Sequence, residues 1–113
     1  MINDKIVIAV VDSGIDCDNS IFRGRKYDGI GITFDSTISE LKFVSSFQDK
    51  YGHGTAVCSI LHKQLVENQV SYDFYIVKIF ENDMHTSDEC LIAALEYIDN
   101  YISCNIIHLS LGV

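Results

Sequence analysis

The sequence has few basic residues and no long hydrophobic run. It carries 8 Lys and Arg against 16 Asp and Glu, which gives a formal net charge of −8 over 113 residues. Nucleic acid and anionic membrane surfaces repel such a chain, so neither is expected as a partner. No apolar stretch approaches the roughly 18 residues of a membrane span, and the start lacks the features of a secretory signal. We therefore expect a cytoplasmic protein.

Metal-binding cysteine patterns are also missing. Cys17, Cys58, Cys90 and Cys104 form no C-x-x-C pair, which leaves little support for a structural zinc site. Cys58 and His62 lie one helical turn apart and could share a ligand, although a packed cysteine beside a surface histidine is the commoner arrangement. We expect reduced thiols, no bound metal and no cofactor.

Apolar patterning predicts an alternation of strands and helices. Residues 5–11 (KIVIAVV) form a β-branched run, which is typical of a parallel strand buried on both faces. Residues 54–65 have helical spacing of apolar side chains. Residues 73–80 (DFYIVKIF) predict a second strand, and residues 105–112 predict a third, in which Ile106, Ile107 and Leu109 are expected to be buried.

A second helix is predicted between the last two strands. Thr86 and Glu89 match a T-x-x-E capping box at its start. Its apolar face is predicted to contain Leu91, Ala94 or Leu95, Ile98 and Ile102. The long segment 18–52 predicts loops, a short helix and minor strands near 31–35 and 41–47. Since strands and helices alternate, we expect an α/β fold with a mainly parallel sheet and flanking helices.

Two polar residues lie where chemistry is expected in such a fold. Asp12 follows the first buried strand, at the edge where parallel sheets place functional groups. His53 lies between Gly52 and Gly54 where a loop enters a helix. Asp12 could accept a hydrogen bond from one ring nitrogen of His53 and orient the imidazole. The alternatives are an ordinary Asp-Ser-Gly turn and a histidine that only caps a loop.

The end of the last strand is a third candidate. Ser110, Leu111 and Gly112 could offer backbone donors and acceptors to an extended peptide, and a glycine would let that peptide approach closely. The alternative is a strand end that simply turns.

Together these stretches resemble a known family, the subtilisin-like serine proteases or subtilases. VDSGID follows the first strand, D-x-x-G-H-G-T occupies 49–55, and I-I-x-L-S-L-G occupies 106–112. Between them, YIVKIF followed by SDECLIAALEYI is similar to the strand and helix that precede the family's substrate-binding strand. The motifs occur in the family's order over nearly the whole chain.

The resemblance implies a role for each candidate residue. Asp12 matches the aspartate of the catalytic triad, and His53 matches its general base. Ser110, Leu111 and Gly112 match the strand whose backbone pairs with substrate. Residues 1–113 would be the amino-terminal part of a subtilase catalytic domain, with its sheet completed by a second polypeptide. The implied reaction is hydrolysis of a peptide or protein substrate through an acyl-enzyme.

The chain also departs from the family's pattern. No G-T-S-type stretch supplies the nucleophilic serine, and Ser110 matches a substrate-binding position instead. The side-chain asparagine of the oxyanion hole has no counterpart, and His108 stands where the family usually has asparagine. The loop that often binds calcium is replaced by HKQLVENQVSYD, which has no evident ligand cluster. The chain alone is therefore expected to be proteolytically inactive.

Three hypotheses remain open from the sequence. In the first, the chain is one component of a split or cleaved subtilase, and a complementing carboxyl-terminal half carries the serine and oxyanion hole. In the second, it is an inactive pseudoprotease that binds peptides or regulates an intact protease. In the third, it is a truncation that arose in sequencing or expression.

Overall fold

A computed structural model describes residues 5–110, which form a five-stranded sheet packed between two helices. The strands lie in the order β3-β2-β4-β1-β5, and only the β2–β3 pair is antiparallel. This confirms the predicted α/β fold with a mainly parallel sheet and flanking helices. The elements are β1 (Ile6–Asp12), β2 (Asp28–Asp35), β3 (Glu40–Val44), α1 (His53–Glu67), β4 (Tyr72–Lys78), α2 (Asp88–Tyr101) and β5 (Ile106–Leu109), with a short 3-10 turn at Ser20–Phe22.

The centre of the sheet is β1, which pairs with β4 on one side and β5 on the other. The alternating side chains of β1 enter two cores, as expected for a strand covered on both faces. Ala9 and Val11 face the core beneath α2, whereas Ile8 and Val10 face the core beneath α1. Asp12 is therefore held at the carboxyl end of the most enclosed strand.

The predicted burial of β5 is wrong for the described residues. Ile106, Ile107 and Leu109 are 48, 42 and 37% exposed. Ile106 lies beside Ile8 on the α1 face, and Ile107 and Leu109 lie beside Ala9 and Val11 on the α2 face. The apolar pattern predicts a buried strand at β5, but neither helix extends far enough across the sheet to cover it.

The predicted capping box at α2 is also wrong. The N-cap is Ser87, whose side chain accepts a hydrogen bond from the backbone N–H of Cys90. Asp88 and Glu89 then lie in the first turn, where the positive end of the helix dipole stabilises their negative charges. Cys90, Ala93, Ala94 and Ile98 of this helix are buried.

Among residues 5–110, neither helix is long and apolar enough to cross a membrane. In the part of the chain that the structure describes, Cys17, Cys58, Cys90 and Cys104 are not joined by disulfides.

Candidate active site

The carboxylate of Asp12 lies fully buried at the end of β1. Its backbone carbonyl accepts a hydrogen bond from the Ile79 N–H at 2.9 Å, which anchors the strand end to the segment after β4. One carboxylate oxygen accepts the N–H of Ser13 at 2.6 Å. Buried carboxylates need such donors, because burial without them is costly.

His53 is the first residue of α1 and faces this carboxylate. Its Nδ1 atom lies 3.0 Å from Oδ1 and 3.1 Å from Oδ2 of Asp12. Since an ionised carboxylate only accepts, Nδ1 is the donor, and neutral His53 keeps a free lone pair on Nε2. The His53 side chain is 43% exposed, so an incoming group can reach the ring.

A close approach of two backbone segments brings Asp12 and His53 together. The Ile15 N–H donates to the carbonyl of Phe47 at 3.0 Å, and the Asp49 N–H donates to the carbonyl of Ile15 at 3.2 Å. A Cβ atom on Gly54 would collide with the carbonyl oxygen of Gly14, so a larger residue at position 54 would push α1 away. The glycine after His53 thus sets the distance between the two motifs.

Asp49 joins the two motifs through side-chain hydrogen bonds. Its Oδ1 atom accepts from Ser13 Oγ at 2.9 Å and from the Gly52 N–H at 2.8 Å. Its Oδ2 atom accepts from the Thr55 N–H at 2.9 Å and from Thr55 Oγ1 at 2.6 Å. Burial by itself raises the pKa of Asp49, but the hydrogen bonds from Thr55, Gly52 and Ser13 outweigh it and hold the pKa below its ordinary value.

The same residues cap α1 from outside the helix. The N-cap, Gly52, makes no side-chain capping bond. Ser13 Oγ instead accepts the N–H of Gly54 at 2.8 Å, and Asp49 accepts the N–H of Thr55. Sequence reasoning assigned no role to Ser13, Asp49 or Thr55. Their residue types were the available signal, because Ser, Asp and Thr are preferred where helices begin.

Ser110 also contacts the Asp12 carboxylate. Its hydroxyl donates to Oδ2 of Asp12, and its backbone N–H donates to the Val11 carbonyl at 3.3 Å. The hydroxyl therefore points at the buried carboxylate. Leu111 and Gly112, the other two predicted substrate-binding residues, lie outside the described part of the chain.

The other candidate groups lie apart from this cluster. Cys58 is fully buried in the core beneath α1, and burial, with help from the charges of Asp12 and Asp49, strongly raises the pKa of its thiol. His62 forms a hydrogen bond between Nδ1 and the Tyr72 hydroxyl at 2.6 Å. His108 lines a groove between α1 and β5. Within residues 5–110, no three His, Cys, Asp or Glu side chains group as a metal site.

Comparison with known proteins agrees with the geometry. A family model described as the subtilase family matches residues 3–113, which is nearly the whole chain. A search of curated proteins finds no match.

Proposed function

Because this chain belongs to the subtilase family, we propose that it is one component of a split or cleaved subtilisin-like serine endopeptidase. It would supply Asp12 and His53, and another polypeptide would supply the nucleophilic serine and oxyanion hole. The observation that carries the proposal is the contact of 3.0 Å between His53 Nδ1 and the buried Asp12 carboxylate. The complementing polypeptide would be a separate gene product or the remainder of one cleaved chain.

The proposed mechanism assigns one task to each side chain. Nε2 of His53 takes the proton of the partner's serine as its oxygen attacks the scissile carbonyl, and later gives that proton to the leaving amine. His53 then takes a proton from the water that hydrolyses the acyl-enzyme and returns it to the serine. Asp12 holds the ring in the required tautomer and stabilises the imidazolium formed in each step.

The substrate would lie as an extended strand beside Ser110, Leu111 and Gly112. The Ser110 hydroxyl already donates to Asp12, so it would be a poor nucleophile in this position. This arrangement supports a backbone role for Ser110 in substrate binding, with the attacking serine on the partner.

The surface around β5 supports the need for a partner. Ile106 and His108 face a groove of about 620 Å³, whose other walls include Leu61 and Leu65 of α1. Ile107 and Leu109 are exposed on the opposite face. A strand that is apolar on both faces belongs inside a parallel sheet. We propose that the complementing half continues the sheet from β5 and covers both faces.

The test uses an active-site probe. The chain is purified with the polypeptides that remain bound to it and treated with a serine-reactive fluorophosphonate. We expect labelling of the bound polypeptide, and near-complete loss of labelling with His53→Ala, because the serine then has no base. His85→Ala is the control, since the His85 side chain is 92% exposed on the loop before α2. Absence of labelling, or labelling that His53→Ala leaves unchanged, contradicts the proposal.

The second candidate function is peptide binding without catalysis. It is favoured by the outer edge of β5, which pairs with no other strand of the described sheet and could accept an extended peptide. Binding of unstructured peptides by the isolated chain, together with bound polypeptides that no fluorophosphonate labels, would favour this function over the first.

A further inference from the structure

We propose that Asp49 is a positioning residue, whose carboxylate fixes the start of α1 so that His53 faces Asp12. Its meaning for catalysis rests on the proposed function, whereas its effect on the Asp12–His53 contact can be measured without it. The carboxylate is hydrogen-bonded to Ser13, Tyr51, Gly52 and Thr55 rather than to either of these side chains, and would act through those neighbours.

The first argument is the number of donors that converge on this carboxylate. Oδ1 accepts from Ser13 Oγ, from the Tyr51 N–H at 3.0 Å and from the Gly52 N–H at 2.8 Å. Oδ2 accepts from both the N–H and the hydroxyl of Thr55. Two oxygens thus join three segments of the chain, namely the turn after β1, the loop before α1 and the first turn of α1.

The second argument is where these donors lie. Ser13 directly follows Asp12, and Thr55 lies two residues after His53. Ser13 Oγ also accepts the Gly54 N–H at 2.8 Å, and Thr55 Oγ1 accepts the Asp16 N–H at 2.9 Å. The network therefore links the backbone on both sides of the Asp12–His53 contact. Because a displacement of about 1 Å can lower a catalysed rate roughly 100-fold, this linkage matters for the reaction.

The third argument is chemical. All five hydrogen bonds have Asp49 as the acceptor, and the positive end of the α1 dipole favours a negative charge there. With Asp49→Asn, an NH₂ group replaces one acceptor. If that group faces Thr55, the Thr55 N–H meets a donor. If it faces Ser13, the donors of the loop before α1 lose their acceptor instead.

Asp35 offers a matched control. In the turn between β2 and β3, its Oδ1 accepts the Thr37 N–H at 3.0 Å and the Thr37 hydroxyl at 2.5 Å. Asp35→Asn therefore removes the same negative charge beside a threonine, but its amide oxygen can still accept both Thr37 donors, whereas Asp49 needs both of its oxygens. The turn lies in a different part of the chain from the site.

The experiment observes the imidazole proton of His53 by NMR in the ¹⁵N-labelled chain. Asp12→Asn identifies the Nδ1–H resonance by removing its carboxylate acceptor. We expect Asp49→Asn to broaden this resonance beyond detection, or to raise its exchange with water at least about 10-fold, and Asp35→Asn to leave it unchanged. A resonance unchanged by Asp49→Asn, or no protected His53 proton in the unsubstituted chain, overturns the inference.

A second variant pair keeps the test decisive if Asp49→Asn fails to fold. Thr55→Val removes the hydroxyl that bonds Asp49, and Thr55→Ser keeps it. We expect Thr55→Val, but not Thr55→Ser, to increase the exchange of the His53 Nδ1–H proton with water. Equal spectra for the two variants overturn the inference.

The catalytic consequence is measured with the fluorophosphonate assay. A positioning role lowers the rate constant of labelling by about 10- to 100-fold at preserved final amplitude. A purely structural role lowers the amplitude at unchanged rate constant and overturns the inference. Absence of labelling in the unsubstituted complex contradicts the proposed function, and the NMR result then decides the role of Asp49 by itself.

Discussion

The two edge strands of the sheet, β3 and β5, differ in the side chains that they expose to solvent. At the β3 edge, Leu41 and Phe43 lie on the side of α2, whereas Glu40 and Lys42 place charges along the strand. At the β5 edge, exposed apolar side chains lie on both faces, and the strand Ile106–Leu109 contains no Lys, Arg, Asp or Glu. Charged side chains, lysine above all, are a common protection of exposed strand edges.

This difference indicates that the edges serve different purposes. The β3 edge is an antiparallel hairpin strand, which can present one face to solvent. The β5 edge is a parallel strand, and parallel strands are rarely stable without cover on both faces. The candidate site lies next to the edge that lacks cover, because Ser110 directly follows β5 and its hydroxyl bonds Asp12. The comparison leads to three predictions.

The largest effect is expected when a lysine is introduced into β5, in comparison with a lysine introduced into β3. Ile107→Lys should lower fluorophosphonate labelling of the bound polypeptide more than about 10-fold, because burying an unpaired ammonium costs several kcal/mol. Leu41→Lys is the matched control, since Leu41 is 39% exposed and Ile107 is 42% exposed. The measurement is labelling amplitude, together with co-elution in size-exclusion chromatography. Equal losses at the two edges would remove the distinction between them.

A smaller effect is expected from removing side-chain volume across one strand pair. Ile8 and Ile106 are neighbours in the β1–β5 register, but Ile8 is 4% exposed and Ile106 is 48% exposed. In the isolated chain, Ile8→Ala should lower the free energy of unfolding by about 2–5 kcal/mol, and Ile106→Ala by less than about 1 kcal/mol. Urea unfolding measures both. A cost for Ile106→Ala as large as that for Ile8→Ala would show that β5 is already covered.

The smallest effect concerns the covered part of α1, away from β5. The Tyr72 hydroxyl lies 2.6 Å from Nδ1 of His62 and 2.5 Å from the hydroxyl of Tyr27. Desolvation, with help from the charge of Arg25, lowers the pKa of His62. Below the ordinary histidine pKa of about 6.5, the unfolded chain therefore binds more protons than the folded chain. The free energy of unfolding should fall as the pH drops from about 6.5 towards the lowered pKa of folded His62.

The measurement is the urea midpoint between pH 7.5 and pH 5. His62→Gln should flatten this dependence, whereas His85→Gln, on the exposed loop before α2, should leave it unchanged. If the urea midpoint of the His62→Gln variant still depends on pH, a group other than His62 causes the dependence.

Much of the fold could be predicted because its signals are local. The β-branched run of β1 and the helical spacing in α1 depend on neighbouring residues alone, and both elements form where the patterns indicate. The predicted start of α2 differs from the structure by one residue, because Thr86 and Ser87 are both good caps and residue type alone does not distinguish them. In the candidate site, Asp12 and His53 lie in recognisable motifs. Asp49 is the first residue of the D-x-x-G-H-G-T motif, but its role as the acceptor of five hydrogen bonds is visible only in the structure.

The sequence by itself determined the alternation of strands and helices, the family and the pairing of Asp12 with His53 as candidates. These follow from short-range patterns and residue types, which do not depend on how distant segments meet. Tertiary structure alone decided that Ser13 caps α1 from 41 residues away and bonds Asp49 across 36 residues, and that β5 is exposed on both faces. Hydrogen bonds between distant segments and the extent of a helix over a sheet depend on three-dimensional packing, which no local pattern encodes.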